Sequence, residues 1–268
     1  MKTQYLKLEN GQIAYDVTGE GQLVVCVPSL GDLRGEYRFL VPLLVKAGYR
    51  VATMDVRGHG ETSEEWNDYS VAGVGKDILA LIRELNAGPA IVVGDSMGGG
   101  AGIWAAVEAP DLIRGLILVD PFVDGEGNRF LKLLFSILFA RPWGPFMWLK
   151  YYSALYPTRK PADFAEYSGA LYANLKQRGR LEATIQMLNA SKQASGERIP
   201  MVDKPALVLM GSKDPDFKDP QGEAKRVADS LRGRYAIIEN AGHYPHAEMP
   251  EIAGPLMLDF MQSLPEDK

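Results

Sequence analysis

The chain has one cysteine and three histidines in 268 residues. A single thiol, Cys26, cannot close an internal disulfide, and inside the apolar run LVVCV it reads as a small buried hydrophobe. Zinc sites built on two or four cysteines are excluded by the same count. Positive charge is also scarce: 29 Lys and Arg stand against 34 Asp and Glu, a formal charge of −5. With no basic stripe, nucleic acid and anionic lipid are not expected partners. No apolar run reaches the roughly 18 residues that a membrane span needs. In the richest candidate, residues 130–156, Lys132 and Arg141 leave only eight residues between them. The opening MKTQYLKLENGQIAYD lacks the apolar core of a secretory signal, so the expected location is the cytoplasm.

What is present is ordinary globular composition, 46% apolar and 24% charged, at a length that α/β folds accommodate in one domain. QYLKLENGQIAYDV alternates apolar and polar residues around Asn10-Gly11, a hairpin signal. Apolar runs of strand length then alternate with helical patterns: LVVCVPS, RVATMDV, AIVVGDS, LIRGLILVDP, ALVLMGSKD and RYAIIENAGH. Continuous rather than alternating Val, Ile and Leu predicts strands covered on both faces, hence a mostly parallel sheet with helices on both sides. The 85 residues between Asp120 and Ala206 interrupt this rhythm, with helical patterns and no strand candidate. Nine of the 25 aromatic residues fall between Phe130 and Tyr156. Long strandless excursions in compact domains are usually functional, which favours a helical insertion lining a pocket over a plain pair of core helices.

The stretch VVGDSMGGG, residues 92–100, poses the chemical question. A P-loop fails because Gly100 stands where lysine is required, and no register yields Gly-x-Gly-x-x-Gly. Gly-x-Ser-x-Gly does fit, as Gly94-Asp95-Ser96-Met97-Gly98, between a buried strand and a helix. A sharp strand-to-helix turn needs minimal side chains on both sides of the serine. It lifts the hydroxyl above the sheet edge and puts the Met97 amide at a helix N-terminus, ready to stabilise an oxyanion. A serine hydroxyl needs a base. Of His59, His243 and His246, His243 follows the last strand and precedes the last helix, and Asp214 follows the preceding strand. The order Ser96, Asp214, His243 after the C-terminal ends of strands is one that a known fold uses.

With MDVRGHGETS, GDSMGG, LVLMGSKDPDF and AGHYPHAEMPE, the chain resembles the α/β-hydrolase superfamily over nearly its whole length, in its serine-hydrolase branch of esterases, lipases, lactonases and cofactor-free peroxidases. The resemblance implies Ser96 as nucleophile, His243 as general base and acid, and Asp214 as the orienting carboxylate. It implies a core of residues 1–120 and 200–268 with a helical cap, 121–199, inserted after the sixth strand. Pro28-Ser29 stands where relatives commonly carry His-Gly, so the second oxyanion donor falls by position on the Leu30 amide. The implied activity is cleavage of a small-molecule carboxylic ester or lactone, with a hydrophobic acyl group suggested by the aromatic insertion. The alternatives are an acyl-homoserine-lactone lactonase, a cofactor-free haloperoxidase or perhydrolase, and a ligand receptor. No metal or organic cofactor is expected, and the chain is expected to be a monomer or homodimer.

Other residues receive plainer readings. His59 matches a family loop of structural use. His246 could suggest a metal pair with His243, but HYPH has no further ligands nearby and Pro245 argues against helical presentation. Asp120, after the sixth strand, is the rival acid to Asp214. Asp216 and Asp219 read as solvated or capping, and Ser29 as lining the site. Gly99 and Gly100 read as letting the helix approach the sheet. Asp95 is either a structural hydrogen-bond acceptor, the favoured reading, or a residue that tunes substrate preference.

Overall fold

The computed structural model describes residues 2–123 and 129–265, with 129–132 described in backbone only. The strands run β1 (Gln4–Leu8), β2 (Gly11–Thr18), β3 (Gln22–Val27), β4 (Tyr49–Met54), β5 (Ala90–Asp95), β6 (Ile113–Val119), β7 (Ala206–Gly211) and β8 (Arg234–Ile238). They form one eight-stranded sheet in the order β1-β2-β4-β3-β5-β6-β7-β8. β1–β2 is the expected hairpin, antiparallel, and β2 also pairs antiparallel with β4; every other pairing is parallel. β3, β5, β6 and β7 sit inside the sheet and are buried almost throughout, as two-sided coverage requires.

Alternate residues of these strands feed two cores. Leu23, Val25, Val27, Val92 and Leu116 pack on one face against helices α2 (Val71–Leu85), α3 (Met97–Glu108) and α9 (Pro220–Leu231). Val24, Cys26, Ile91 and Ile117 pack on the other against α1 (Leu40–Lys46) and α11 (Pro250–Gln262). Cys26 is free and fully buried, the small hydrophobe that its run predicts. Ser70 caps α2 by accepting from the Gly73 amide, and Asn86 ends it in a left-handed turn.

The excursion after β6 is helical where described: α4 (Arg129–Leu138), α5 (Gly144–Ala154), α6 (Phe164–Lys176), α7 (Arg180–Asn189) and α8 (Gln193–Gly196). These helices bury an aromatic cluster of their own, with Phe139, Trp148, Tyr152, Tyr156 and Tyr167. The Phe130 side chain, counted among the aromatics above, lies outside the described residues. Tyr244, just after His243, joins this cluster from the core side, stacked on Tyr156 with 5.2 Å between ring centroids. Among the described residues no helix is long and apolar enough to cross a membrane. A short helix, α10 (Pro245–Glu248), follows His243. His243 lies outside this helix, so His243 and His246 are not presented together on one helix, as the proline suggests; Pro245 takes the first helical position, where the missing N–H has no partner to lose.

Candidate functional site

Ser96 occupies the turn between β5 and α3 at φ +52°, ψ −115°, a conformation that costs a non-glycine residue of order 1–3 kcal/mol. The surroundings hold it there. Its amide donates to Val119 O at 2.8 Å, and its carbonyl accepts from the Phe122 amide at 3.2 Å. A Cβ on Gly94 would lie 2.4 Å from Gly98 O, and one on Gly98 would lie 2.4 Å from Val27 O, so both positions exclude a side chain. Gly99 acts as expected and Gly100 does not. A Cβ on Gly99 would lie 3.1 Å from Gly94 O of β5 and from Pro121 Cβ, so it admits both the sheet and the segment after β6. One on Gly100 would lie 3.0 Å from Phe122 O and Ser195 Oγ, so it admits that segment and α8, and Gly102 adds a close approach to the sheet at Val92.

Asp214 and His243, 29 residues apart, meet above the ends of β7 and β8: His243 Nδ1 lies 2.6 Å from Asp214 Oδ2, both residues 2% exposed. Nδ1–H donates to the carboxylate, leaving Nε2 as the atom available to a reactant. Burial alone would lower the imidazole pKa, but the Asp214 charge lifts it to about 9. Burial would likewise raise the Asp214 carboxyl, and the paired imidazole holds it below the ordinary range. The His243 amide donates to Leu155 O at 3.0 Å, which ties the loop to the helical excursion.

Asp120 stands beside this pair rather than in place of Asp214. A ligand atom from each of Asp120, Asp214 and His243 lies within 4.8 Å of the others. The Asp120 Oδ1 accepts from the Gly211 amide at 3.0 Å. Burial, reinforced by the Asp214 charge, pushes its carboxyl well up. Asp219 caps α9 through the Gly222 amide, as read from the sequence. Asp216 goes beyond the sequence reading: it caps no helix and is only partly exposed, accepts from the Tyr151 hydroxyl of α5 at 2.5 Å and faces His243 Nδ1 at 4.0 Å.

Ser96 and His243 open onto one cavity of about 370 Å³, walled by Phe122, Phe135, Trp148, Tyr151, Leu155 and Leu188, with Ser29 and Leu30 at its base. Among the described residues, neither the Leu30 nor the Met97 amide has an acceptor in the chain. A larger cleft of about 890 Å³ lies elsewhere, between Arg34, Asp55 and Tyr167, and touches none of Ser96, Asp214 and His243. Its principal cation, Arg34, is already engaged by Asp16, Asp55 and Glu61. The candidate nucleophile and base therefore face the smaller cavity.

The remaining candidates lie behind the site. His59 is 1% exposed, with Nδ1 at 2.8 Å from Arg57 O, and does not line the cavity. His246 is buried too, but the absence of ligands near it in sequence was misleading. Glu36 and Asp95 converge on it, with a ligand atom of each within 4.8 Å of the others. Burial pushes the Asp95 carboxyl well up, the Glu36 carboxyl up to about 8 and the His246 imidazole down to about 3, so that the three favour their neutral forms together. Neither carboxyl oxygen of Asp95 has a hydrogen-bond partner among the described residues, contrary to the favoured reading of a structural acceptor, nor does Asp95 line the cavity. Sequence reasoning missed the contacts of Glu36, Tyr151 and Asp216; Glu36 lies only seven residues from its partner Ser29, but no motif marks it.

Comparison with known proteins identifies the fold. Residues 22–250 match the family model of the alpha/beta hydrolase fold. The chain is 39% identical over 253 residues to a 2-(acetamidomethylene)succinate hydrolase of Mesorhizobium japonicum, covering 83% of this chain and 82% of that protein. An esterase from Exiguobacterium antarcticum superposes with a TM-score of 0.85 at 20% identity, covering 98% of this chain and 100% of the esterase. A bromoperoxidase from Bacillus anthracis gives the same TM-score at 19% identity and the same coverages.

Proposed function

The chain belongs to the α/β-hydrolase family, and from that premise we propose that it is a serine hydrolase cleaving a carboxylic ester or lactone through an acyl-enzyme. The observation that carries this reading is the pairing of His243 Nδ1 with Asp214 beside a cavity onto which Ser96 opens from a left-handed turn. In the proposed sequence, His243 Nε2 takes the Ser96 proton as Oγ attacks the carbonyl carbon. The resulting oxyanion receives the unengaged amides of Met97 and Leu30. His243 then gives its proton to the leaving oxygen, the alcohol departs, and a water activated by the same imidazole releases the acid and restores Ser96. Asp214 keeps the imidazole in the tautomer that this requires and stabilises it when charged.

In this reading residues 121–199 act as a cap over a core of 1–120 and 200–268. Its aromatic wall of Phe135, Trp148 and Tyr151 supports an apolar acyl group. The test is labelling with a fluorophosphonate probe, followed by mass spectrometry of the modified peptide. Modification of Ser96, abolished in Ser96→Ala together with turnover of p-nitrophenyl esters, is the expected result. In that variant kcat should fall by about 10⁶-fold, the loss typical of removing the nucleophile. Retention of more than a few per cent of turnover would overturn the reading.

A further inference from the structure

Three successive amides follow β3, and two of them are captured by buried side chains, one seven residues further on and one 28 residues further on. The Ser29 amide donates to Glu36 Oε2 at 2.8 Å. The Gly31 amide donates to His59 Nε2 at 3.0 Å. The Leu30 amide between them has no acceptor among the described residues, and Leu30 itself lines the cavity with Ser96. We infer that Glu36 and His59 are positioning residues that clamp the peptides on either side of Leu30 and so aim its N–H at the oxyanion. This rests on the reading of Ser96 as the nucleophile.

Each peptide is planar, so the Leu30 N–H can reorient only by turning about the soft torsions that flank its own peptide plane. Fixing the preceding and following N–H groups restrains those torsions. A donor fixed beforehand does not have to reorganise when charge develops, which is where such donors gain their effect. Both acceptors are built for the task. His59 Nδ1 faces Arg57 O at 2.8 Å, which makes Nδ1 the protonated nitrogen and leaves the Nε2 lone pair for Gly31. Burial lowers the His59 pKa to about 4, so the ring is a neutral acceptor at physiological pH. Glu36, 1% exposed, turns its second oxygen toward His246 Nε2 at 3.1 Å.

The cap side closes the arrangement. Trp148 Nε1 of α5 donates to Gly31 O at 3.1 Å, and Tyr167 of α6 donates to Asp32 Oδ1 at 2.6 Å. Thr184 Oγ1 of α7 stands 3.1 Å from His59 Nε2. Gly31 itself sits at φ +74°, and a Cβ there would lie 2.1 Å from the Trp148 ring, so loop and α5 fit only without a side chain. Pro28-Ser29 thus occupies a loop whose direction is set by distant side chains.

The experiment compares Glu36→Leu and His59→Phe, which fill the space without an acceptor, with Glu36→Gln and His59→Gln, which restore an acceptor oxygen. For each, kcat and KM on p-nitrophenyl butyrate are measured with the Ki of a trifluoromethyl ketone, and folding is checked by near-ultraviolet circular dichroism. The apolar variants should lose kcat by about 10- to 100-fold, short of the 10²- to 10³-fold loss of a whole oxyanion donor, with KM changed less than about twofold. The ketone should weaken in parallel, and Glu36→Gln should recover most of the loss. Folded apolar variants with wild-type kcat and Ki would overturn the inference, as would a rise in KM alone. If the apolar variants do not fold, Glu36→Asp and His59→Asn decide instead, since both shorten the side chain and displace the acceptor without emptying the site. Each should then lower kcat at unchanged KM, and wild-type kcat in both would overturn the inference. Failure of the nucleophile reading is seen separately, as turnover that survives in Ser96→Ala.

Discussion

His243 Nδ1 lies 2.6 Å from Asp214 Oδ2 with both side chains buried, and the Asp214 charge opposes burial in raising the imidazole pKa. The imidazole is raised to about 9, against an ordinary value of 6.5, so in the resting protein it carries its proton through neutral pH. A base must be unprotonated to act. kcat/KM should therefore rise with pH and level off only as the pH passes about 9, as measured on a neutral ester. Stability has the opposite slope. The raised pKa contributes stability that is fully present below pH 6.5 and is lost as the pH climbs through about 9. A kcat/KM profile already flat from pH 6 would contradict this coupling.

Asp214 and Asp120 are separable by isosteric amides. Asp214→Asn removes the charge on His243 and favours the wrong tautomer, so kcat should fall by about 10⁴-fold. Asp120→Asn replaces an acid that burial already drives toward its neutral form and keeps an oxygen for the Gly211 amide. Its kcat should stay within about tenfold of wild type, a small loss beside that of a triad member. Steady-state rates of the two variants at pH 9 check the order, and the reverse ranking would transfer the role to Asp120.

Asp95 should matter for stability against pH more than for rate. Its raised pKa means that the folded chain keeps a proton which the unfolded chain releases above the ordinary 3.8. Stability therefore declines as pH rises above that value. Asp95→Asn keeps the shape without the ionisation, so its Tm should decline less than that of wild type between pH 5 and pH 8, with kcat nearly unchanged. Calorimetric scans of both proteins across that range provide the check.

The turn around Ser96 should tolerate no methyl group at Gly98. A Cβ there would lie 2.4 Å from Val27 O and 2.9 Å from Pro28 O, both backbone atoms that cannot swing away. Gly98→Ala is expected to lower stability by about 3 kcal/mol, the upper range for overpacking. It should also reduce fluorophosphonate labelling, because α3 would shift off the loop that carries Leu30. Urea unfolding and labelling rate are the measurements.

The aromatic wall should be read by acyl chain length. With Trp148 and Phe135 lining the cavity, kcat/KM for p-nitrophenyl esters should increase from C2 to C8, by up to about tenfold per pair of buried methylenes at ~0.8 kcal/mol each. Trp148→Ala should flatten that increase. A flat or falling series in wild type would remove the apolar acyl group from the proposal.

Much of the fold was legible because its causes are local. Two-sided burial writes itself as continuous Val, Ile and Leu in β3, β5, β6 and β7, and Asn10-Gly11 marks the β1–β2 turn. Gly94 and Gly98 announce a turn that admits no side chain, and the order Ser96, Asp214, His243 follows strand ends that the same runs locate. Where a residue depended on distant neighbours, the reading failed. Asp216 reads from its loop as solvated or capping, and only the packing of α5 puts the Tyr151 hydroxyl on it. Asp95 reads from the sequence as an acceptor, yet among the described residues no donor reaches it.

Sequence alone was enough for the sheet and for the turn around Ser96, each a pattern within about ten residues, and it offered the candidate acid and base through the order of Asp214 and His243 after later strands. Only the tertiary structure decided what surrounds them. The Ser29 amide finds Glu36, the Gly31 amide finds His59 across 28 residues, and His246 finds Asp95 across β5 and α10. Such contacts are set by how strands and helices pack, and a buried polar group's partners, which govern its charge, appear only once that packing exists.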